Sequence, residues 1–512
     1  MWTKVRATNG IERPQAELIF NVGAILLFLG GLVFRVWLAG QPVGRLDSDG
    51  AVIGLMAIRF LSGEFSAMYW GQGYGGSQEA IAAAALFAVT DVSSMALKLV
   101  PVAFNAISAI LVWRVGRRLL GETYGKLAGV LFWIWPPFFL LWSLRMGTYW
   151  ASLASALLVF LQVLRIKERV AWRWYDAPLL GLAIGNALWA NPQTVYVLIP
   201  VLLVHAGMFV KRWRHCLVSI PFMFVGALPW LIFNFRNSWA SFEVPSQPSL
   251  GPLGHLSLLL RRMLPMSLGF RYPYSDEWLW GVVGKAAYFA AALVLGILII
   301  RFWKKLSVLW IAFLIYPIVY AVSPYSWYDD EPRYLLFLIP FICLSAAAGL
   351  QWVLPRPLLA LSVCLIIAVG LGIPSLGQIR RVYVQPTAPD VPLPNSFAQL
   401  EDLLLDEGVR VAYADYWIAY RTTFETEEKV VVAPLQVHRY LPYDQKVGSS
   451  IDPPPFIFVK GSGSLDNFDK LAKANSIDYE LVNRGPWLLA WPEEPISPWE
   501  LAILNGHYPS SG

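Results

Sequence analysis

Charged residues and cysteine are both scarce in this sequence. Asp, Glu, Lys and Arg make up only 14% of the 512 residues, whereas a soluble domain has about 25%. The three cysteines (Cys216, Cys343 and Cys364) all lie in apolar runs, so no disulfide framework is expected. With 57% hydrophobic residues and a mean hydropathy of +0.52, the composition excludes a cytosolic enzyme, a disordered chain and a nucleic-acid-binding protein.

Several catalytic signatures are also missing. The sequence has no HExxH, GxSxG or CxxC motif, and residues 376–512 have neither a GxGxxG motif nor a P-loop. Zinc proteases, serine hydrolases, thiol redox enzymes and a nucleotide site in the C-terminal part therefore lack support.

The chain divides into two parts of different composition. Residues 1–375 carry 45 of the 74 charged side chains, and the much shorter segment 376–512 carries 29. Apolar runs near 20 residues, long enough to cross a hydrocarbon layer of about 30 Å, occur only in the first part. We predict an α-helical polytopic membrane protein with about eleven transmembrane helices. The predicted spans are 18–38, 96–114, 124–143, 148–165, 177–191, 193–210, 216–234, 282–301, 306–323, 334–353 and 356–375.

Basic residues predict the orientation. If the N-terminus is cytoplasmic, every inside connection carries Lys or Arg, and the short outside connections carry only Arg145 and Arg333. An odd number of spans then places residues 376–512 outside the cytoplasmic membrane, together with the external connections 39–95, 235–281 and 324–333.

The C-terminal segment 376–512 reads as a small α/β domain. Amphipathic patterns predict helices at 395–407 and 464–475. Runs rich in β-branched and aromatic residues predict strands at 409–416, 429–435, 456–460 and 479–491.

The first external connection concentrates polar residues at the membrane surface. Asp47 and Asp49 follow the first span, a helix is predicted from Gly50 with Arg59 on its polar side, and Glu79 opens the next apolar helix. Acidic groups beside a hydrophobic surface are costly unless they are used. The alternative is structural, with Asp49 capping helix 50–62 and Glu79 favouring a helix N-terminus. A glycine- and aromatic-rich loop from Tyr69 to Gly76 lies between them, and its Tyr74 suits either sugar stacking or an interfacial aromatic belt.

The order of these features resembles the GT-C membrane glycosyltransferases, a superfamily that includes bacterial protein O-mannosyltransferases and lipid A aminoarabinose transferases. The stretch Asp49-Gly50-Ala51 matches the family's Asp-Glu-Ala opening of the first external loop, with Gly50 in place of Glu and Asp47 as the alternative second carboxylate. WYDDEPRYLLFLIPF (327–341) resembles the family's entry to a late span, and WANPQTVYVLIP (189–200) and LPWLIFNF (228–235) fit its pattern.

The resemblance implies transfer of a sugar from a polyprenyl-phosphate carrier to a glycan, lipid or protein acceptor on the outer face of the membrane. It implies Asp49 as the catalytic base and no obligatory metal, although Asp47 and Asp49 have the spacing that shares one Mg²⁺ or Mn²⁺ ion. For the phosphate and the rest of the substrate, the candidates are Arg333, Glu79, Asp47, Arg59, Tyr74 and Glu331.

Three other functions stay open at this point. A flippase or transporter of lipid-linked glycans is disfavoured because no internal repeat is evident and charges within the spans are few. A polymerase or ligase that moves whole glycans shares the fold. A non-catalytic partner subunit is the third alternative, because Gly50 replaces the family's Glu.

Overall fold

The computed structural model describes residues 13–243, 250–273, 275–323, 326, 332–383, 387–388, 391–394 and 396–506. Helices fill the first part of the chain. In order they are α1 (Arg13–Ala39), α2 (Ser48–Leu61), α3 (Gln78–Phe87), α4 (Ser94–Leu120), α5 (Glu122–Ile134), α6 (Pro137–Trp142), α7 (Tyr149–Lys167), α8 (Asp176–Ala190), α9 (Val195–Val204), α10 (Ala206–Lys211), α11 (Trp213–Gly226), α12 (Leu228–Arg236), α13 (Gly251–Leu258), α14 (Leu264–Leu268), α15 (Val282–Phe302), α16 (Ser307–Val322), α17 (Ile339–Val353) and α18 (Pro357–Tyr383).

Six of the described helical segments are long and apolar enough to cross a membrane. They are Gln15–Ala39, Ser94–Leu120, Tyr149–Lys167, Val282–Phe302, Arg333–Val353 and Pro357–Ile379. The pair α11 and α12, bent by 59° at its break, makes a seventh if it forms one span. Each of the eleven predicted segments falls on one helix or on consecutive helices, so the helical class is confirmed, whereas the number of crossings stays a prediction.

One fully buried cation joins the helices around α1. Arg35 is 1% exposed, and its guanidinium donates to Ser143 Oγ at 2.8 Å, Asn105 Oδ1 at 3.0 Å and the Trp133 carbonyl at 2.8 Å. A buried charge is tolerated where its donors are satisfied. Arg35 therefore fixes α1 against α4, the end of α5 and the residue that follows α6.

The last part of the chain forms a mixed sheet with helices. Its elements are β1 (Thr387–Ala388), β2 (Val391–Pro392), α19 (Ala398–Asp406), β3 (Val411–Ala414), α20 (Tyr416–Glu425), β4 (Val431–Pro434), α21 (Leu441–Gly448), β5 (Phe456–Val459), α22 (Gly463–Ala474), β6 (Tyr479–Arg484), β7 (Trp487–Pro492) and α23 (Pro498–Leu504). The five-stranded sheet has the order β4-β3-β5-β7-β6, in which β3 pairs in parallel with β4 and β5, and β7 pairs antiparallel with β5 and β6.

The predicted strands and both predicted helices of this segment are confirmed. The helices α20, α21 and α23 were not predicted. Residues of α20 such as Tyr416, Trp417 and Thr422 favour strands, so the local sequence does not predict this helix. The strand β3 ends at Ala414 because Asp415 turns the chain, its carboxylate accepting a hydrogen bond from the Trp417 amide at 2.9 Å.

A continuous apolar core joins the first external connection to the C-terminal domain. It contains Val52, Ile53 and Met56 of α2 together with Tyr420 and Phe424 of α20. Two further cores lie within the C-terminal segment itself. The C-terminal domain is therefore packed directly on the residues that follow the first span.

Candidate active site

The turn into α2 places the two aspartates in different roles. Asp47 is the residue that caps the helix, because its Oδ1 accepts a hydrogen bond from the Gly50 amide at 2.8 Å. The predicted helix start at Gly50, with Asp49 as the cap, is wrong. The helix begins at Ser48, so Asp49 lies in its first turn and its carboxylate is not used for capping.

Gly50, which stands where the GT-C family has Glu, fits the close packing at the start of α2. A Cβ atom on Gly50 would lie 2.7 Å from Leu46 Cδ1 and 3.2 Å from Asp47 Oδ1. A glutamate at this position would displace the Leu46 side chain. Glycine therefore allows the tight turn that closes the Asp47 cap.

The Asp49 carboxylate is held by three side chains, all of which contact its Oδ1. The Tyr416 hydroxyl donates to Oδ1, the Tyr69 hydroxyl lies 3.3 Å away, and Arg439 Nη2 lies at 3.5 Å. Among the described residues, no hydrogen bond reaches Oδ2, and the side chain is 36% exposed. One carboxylate oxygen is thus fixed, and the other is open to an incoming group.

The two tyrosines at Asp49 act as donors. Burial raises the pKa of Tyr416 well above its ordinary value, and the negative charge of Asp49 raises it further. Burial also raises the pKa of Tyr69 well above its ordinary value, and the nearby Tyr416 and Asp49 raise it further. Both phenols therefore stay protonated at neutral pH and can donate a hydrogen bond to the Asp49 carboxylate.

Asp47 pairs with a different cation. Its Oδ2 is bound by Arg145, a side chain only 7% exposed in the segment between α6 and α7. Both Asp47 oxygens are therefore occupied, one by the Gly50 amide and one by Arg145. Asp47 and Asp49 are therefore contacted by different arginines, Arg145 and Arg439. Among the described residues, no group of three or more His, Cys, Asp or Glu side chains could hold a metal.

Glu79 is fully buried in the first turn of α3, and its carboxylate reaches the N-terminus of α7. It accepts hydrogen bonds from the Gly147 amide at 3.2 Å and the Ala151 amide at 3.4 Å. Burial raises its pKa, and these backbone amides oppose that rise. In the structure, Glu79 therefore caps the N-terminus of α7. Its role as a substrate ligand stays a prediction.

Arg59 lies in the last turn of α2, away from Asp49. Its Nη2 is 2.7 Å from Glu428 Oε1, and its Nη1 is 3.1 Å from Glu64 Oε1. The Tyr443 hydroxyl also donates to Glu428. These contacts place Arg59 in the junction between α2 and the C-terminal domain.

Tyr74 lines a separate cavity of about 320 Å³, and Arg333 directly precedes another lining residue, Tyr334. Tyr74, Asn191, Tyr196, Ser323 and Tyr334 are among its lining residues. The Arg333 guanidinium lies 5.3 Å from the ring of the adjacent Tyr334, at the start of the short 3-10 helix before α17. The predicted ligand Glu331 lies outside the described residues.

The segment between α6 and α7 lies between the cavity and the aspartates. Arg145 at its start binds Asp47, and Thr148 at its end accepts a hydrogen bond at 3.3 Å from Asn191, which lines the cavity. Asp47 and the cavity are therefore linked through the four residues 145–148.

Sequence reasoning missed Tyr416 and Arg439. Each lies more than 360 residues from Asp49, so no local pattern associates them with it. The signal that was available is the predicted placement of residues 376–512 on the same side of the membrane as residues 39–95.

Known proteins resemble this chain in both sequence and structure. Residues 80–239 match the family described as dolichyl-phosphate-mannose-protein mannosyltransferase. The crystal structure of ArnT from Cupriavidus metallidurans in the apo state superposes with a TM-score of 0.66 at 12% identity, covering 94% of this chain and 99% of ArnT. The same enzyme bound to undecaprenyl phosphate gives a TM-score of 0.62 at 12% identity with the same coverage. No curated protein sequence matches significantly. The fold of this chain is that of the GT-C membrane glycosyltransferases.

Proposed function

We propose that this protein is a glycosyltransferase that moves a sugar from a polyprenyl-phosphate carrier to an acceptor on the outer face of the cytoplasmic membrane. The observation that carries the proposal is the Asp49 carboxylate, which follows the first span with one oxygen fixed and the other open. The ArnT structure that contains undecaprenyl phosphate supports a lipid-phosphate carrier for this fold.

In the proposed reaction, Asp49 is the general base. An acceptor hydroxyl gives its proton to Asp49 Oδ2 while its oxygen attacks the anomeric carbon of the donor sugar. The bond between that carbon and the phosphate oxygen breaks, and the polyprenyl phosphate leaves with the electron pair. The proton then passes from Asp49 to solvent. The proposed acceptor is an outer-face glycan, lipid or protein.

The leaving phosphate needs a cation in a partly dehydrated pocket. Arg333 is the proposed partner, because its guanidinium lies 5.3 Å from the ring of Tyr334, which lines the same cavity as Tyr74. Tyr74 is proposed to contact the sugar. Asp47 is proposed to act indirectly, since it fixes the turn that presents Asp49 and holds Arg145 close to that turn.

The proposed orientation has the N-terminus in the cytoplasm and residues 376–512 outside. The distribution of basic residues supports it. The packing of the C-terminal domain against α2 requires that it lie on the same side of the membrane as Asp49.

Transfer is to be measured with purified protein and a panel of radiolabelled polyprenyl-phosphate sugars. Asp49→Asn keeps the size of the side chain but removes the base, and we expect it to lower kcat by at least about 100-fold. Asp452→Asn, the same change at an exposed loop position, serves as the matched control and should transfer at the wild-type rate.

Three outcomes discriminate among the functions. Transfer that survives in Asp49→Asn removes Asp49 as the base. Movement of labelled lipid across a bilayer, with no transfer from any donor, supports the flippase instead. Products longer by whole glycan units, rather than by single sugars, identify a polymerase or ligase.

A further inference from the structure

The C-terminal domain reaches the proposed catalytic base with two side chains. Tyr416 is the first residue of α20, and Arg439 lies just before α21. Both contact Asp49 Oδ1, and they also contact each other, since Arg439 Nε donates to the Tyr416 hydroxyl oxygen at 3.3 Å. The Tyr416 hydroxyl therefore accepts from the guanidinium while it donates to the carboxylate.

Tyr416 is held in place by a hydrogen bond to its backbone and by the packing of its helix. It is 4% exposed, and its backbone carbonyl accepts a hydrogen bond from Ser48 Oγ at 2.5 Å. Its helix packs on α2 through Phe424, which is 1% exposed and lies against Gly54. The hydroxyl therefore has little freedom to leave Asp49 without separation of the two helices.

Arg439 is also immobilised by its surroundings. Its backbone amide donates to the Tyr420 hydroxyl at 2.6 Å, and its guanidinium lies 5.3 Å from the Tyr69 ring. With the Gln72 carboxamide oriented as an acceptor, its oxygen lies 2.7 Å from Arg439 Nη1. Gly71 allows this approach, since a Cβ there would lie 2.8 Å from the Arg439 Cα.

These contacts form part of a larger interface. The Trp70 ring stacks on Tyr440 with a centroid distance of 3.9 Å, and Arg59 pairs with Glu428. Arg45 Nη1 donates to the Leu393 carbonyl at 2.8 Å. The first external connection is therefore bound to the C-terminal domain along its length, so Tyr416 and Arg439 meet Asp49 in a fixed geometry.

We propose that Tyr416 and Arg439 are positioning residues that hold the Asp49 carboxylate for deprotonation of the acceptor, which makes the C-terminal domain part of the active site. The inference rests on the proposed function. The Tyr416 hydroxyl and the Arg439 guanidinium both contact Oδ1, and this fixes the carboxylate so that Oδ2 is directed toward the acceptor. The other ionisable groups at this site are Tyr69 and the Asp47–Arg145 pair.

The test compares Tyr416→Phe, Arg439→Gln and Arg439→Lys with controls that make the same changes elsewhere in this domain. Tyr479→Phe removes a phenol–carboxylate hydrogen bond to Asp469 of 2.9 Å, and Arg484→Gln removes a 2.7 Å ion pair with Asp406. Size-exclusion chromatography of each purified variant shows whether it is folded.

Two readouts separate positioning from a structural role. The first is transfer kinetics. We expect Tyr416→Phe and Arg439→Gln to lower kcat about 10- to 100-fold while KM for the donor changes less than about threefold. Arg439→Lys keeps the positive charge and should restore part of the loss in kcat.

The second readout needs no activity. Carbodiimide reacts with accessible carboxyl groups, and mass spectrometry quantifies its label on Asp49. At a fixed pH, labelling should rise in Arg439→Gln, because removal of the guanidinium uncovers Asp49 Oδ1. Labelling should stay at the wild-type level in Arg484→Gln. If labelling and kcat are both unchanged in Arg439→Gln, the inference is refuted. If labelling rises but the wild type transfers sugar from no donor, the positioning contact stands and the proposed function fails.

Discussion

The packing of α2 on α20 predicts a large effect from a small change, Gly54→Ala. The added Cβ would overlap the ring of Phe424 and lie 2.8 Å from Leu97 Cδ2. Leu97 is 0% exposed and Phe424 is 1% exposed, so neither side chain has space into which it can move. Relief of the overlap therefore requires a shift of one helix against the other.

The magnitude follows from two opposed terms. Overpacking of a well-filled core costs about 1–3 kcal/mol, and the severe overlap places Gly54→Ala in the upper half of that range. Replacement of glycine by alanine inside a helix stabilises the helix by about 1 kcal/mol. The net expectation is a loss of roughly 1–2 kcal/mol of stability at the junction between α2 and the C-terminal domain.

Thermal unfolding of the purified protein measures this loss, with Gly30→Ala as the control. A Cβ on Gly30, in α1, meets no atom within 4 Å, so this variant should not have a lower midpoint than the wild type. Gly54→Ala should unfold at a lower temperature. It should also lose transfer activity, because its helix displacement separates Tyr416 from Asp49.

Combination with Phe424→Leu tests the cause. The smaller side chain makes room for the added methyl group, so the double variant should lose less stability than the sum of the two single changes. An unchanged midpoint for Gly54→Ala, or strict additivity with Phe424→Leu, would refute the packing derived for this junction.

Two further predictions concern stability. Glu79→Ala leaves the Gly147 and Ala151 amides without their buried acceptor and should lower the stability by about 2–3 kcal/mol. Glu79→Gln keeps one acceptor oxygen and should lower it less. Thermal unfolding midpoints of the two variants and the wild type measure this difference. The hydrogen bond from His438 Nδ1 to Asp444 raises the pKa of His438, so its stabilising contribution is complete below about pH 6.5 and is lost as pH rises through the folded-state pKa. The midpoint of His438→Asn should lack this loss as the pH rises above about 6.5, and equal pH dependence in both proteins would contradict it.

The predicted site residues do not form one cluster in the structure. Asp47 and Asp49 lie at the start of α2, and Arg59 lies in its last turn. Glu79 reaches the N-terminus of α7, and Tyr74 lines the cavity. Residues that are close in the sequence have different roles in the structure. Asp47 and Asp49 are two residues apart, yet one caps a helix and the other faces the C-terminal domain.

The sequence by itself determined the properties that depend on local composition. Runs of about 20 apolar residues mark membrane helices because the hydrocarbon layer has a fixed thickness, and each predicted run lies on helical structure. The strands of the C-terminal sheet were evident for a similar reason, since β-branched and aromatic residues pack well on a pleated surface. The order of spans and acidic residues also indicated the GT-C fold.

Only the tertiary structure decided which groups surround Asp49. Its partners Tyr416 and Arg439 lie 367 and 390 positions away in the sequence, on a helix hidden by strand-favouring residues and on a connection with no distinctive pattern. Pairings at such separations depend on how α20 packs against α2. Packing depends on shape complementarity, such as that of Phe424 with Gly54, and this leaves no periodic signal along the chain.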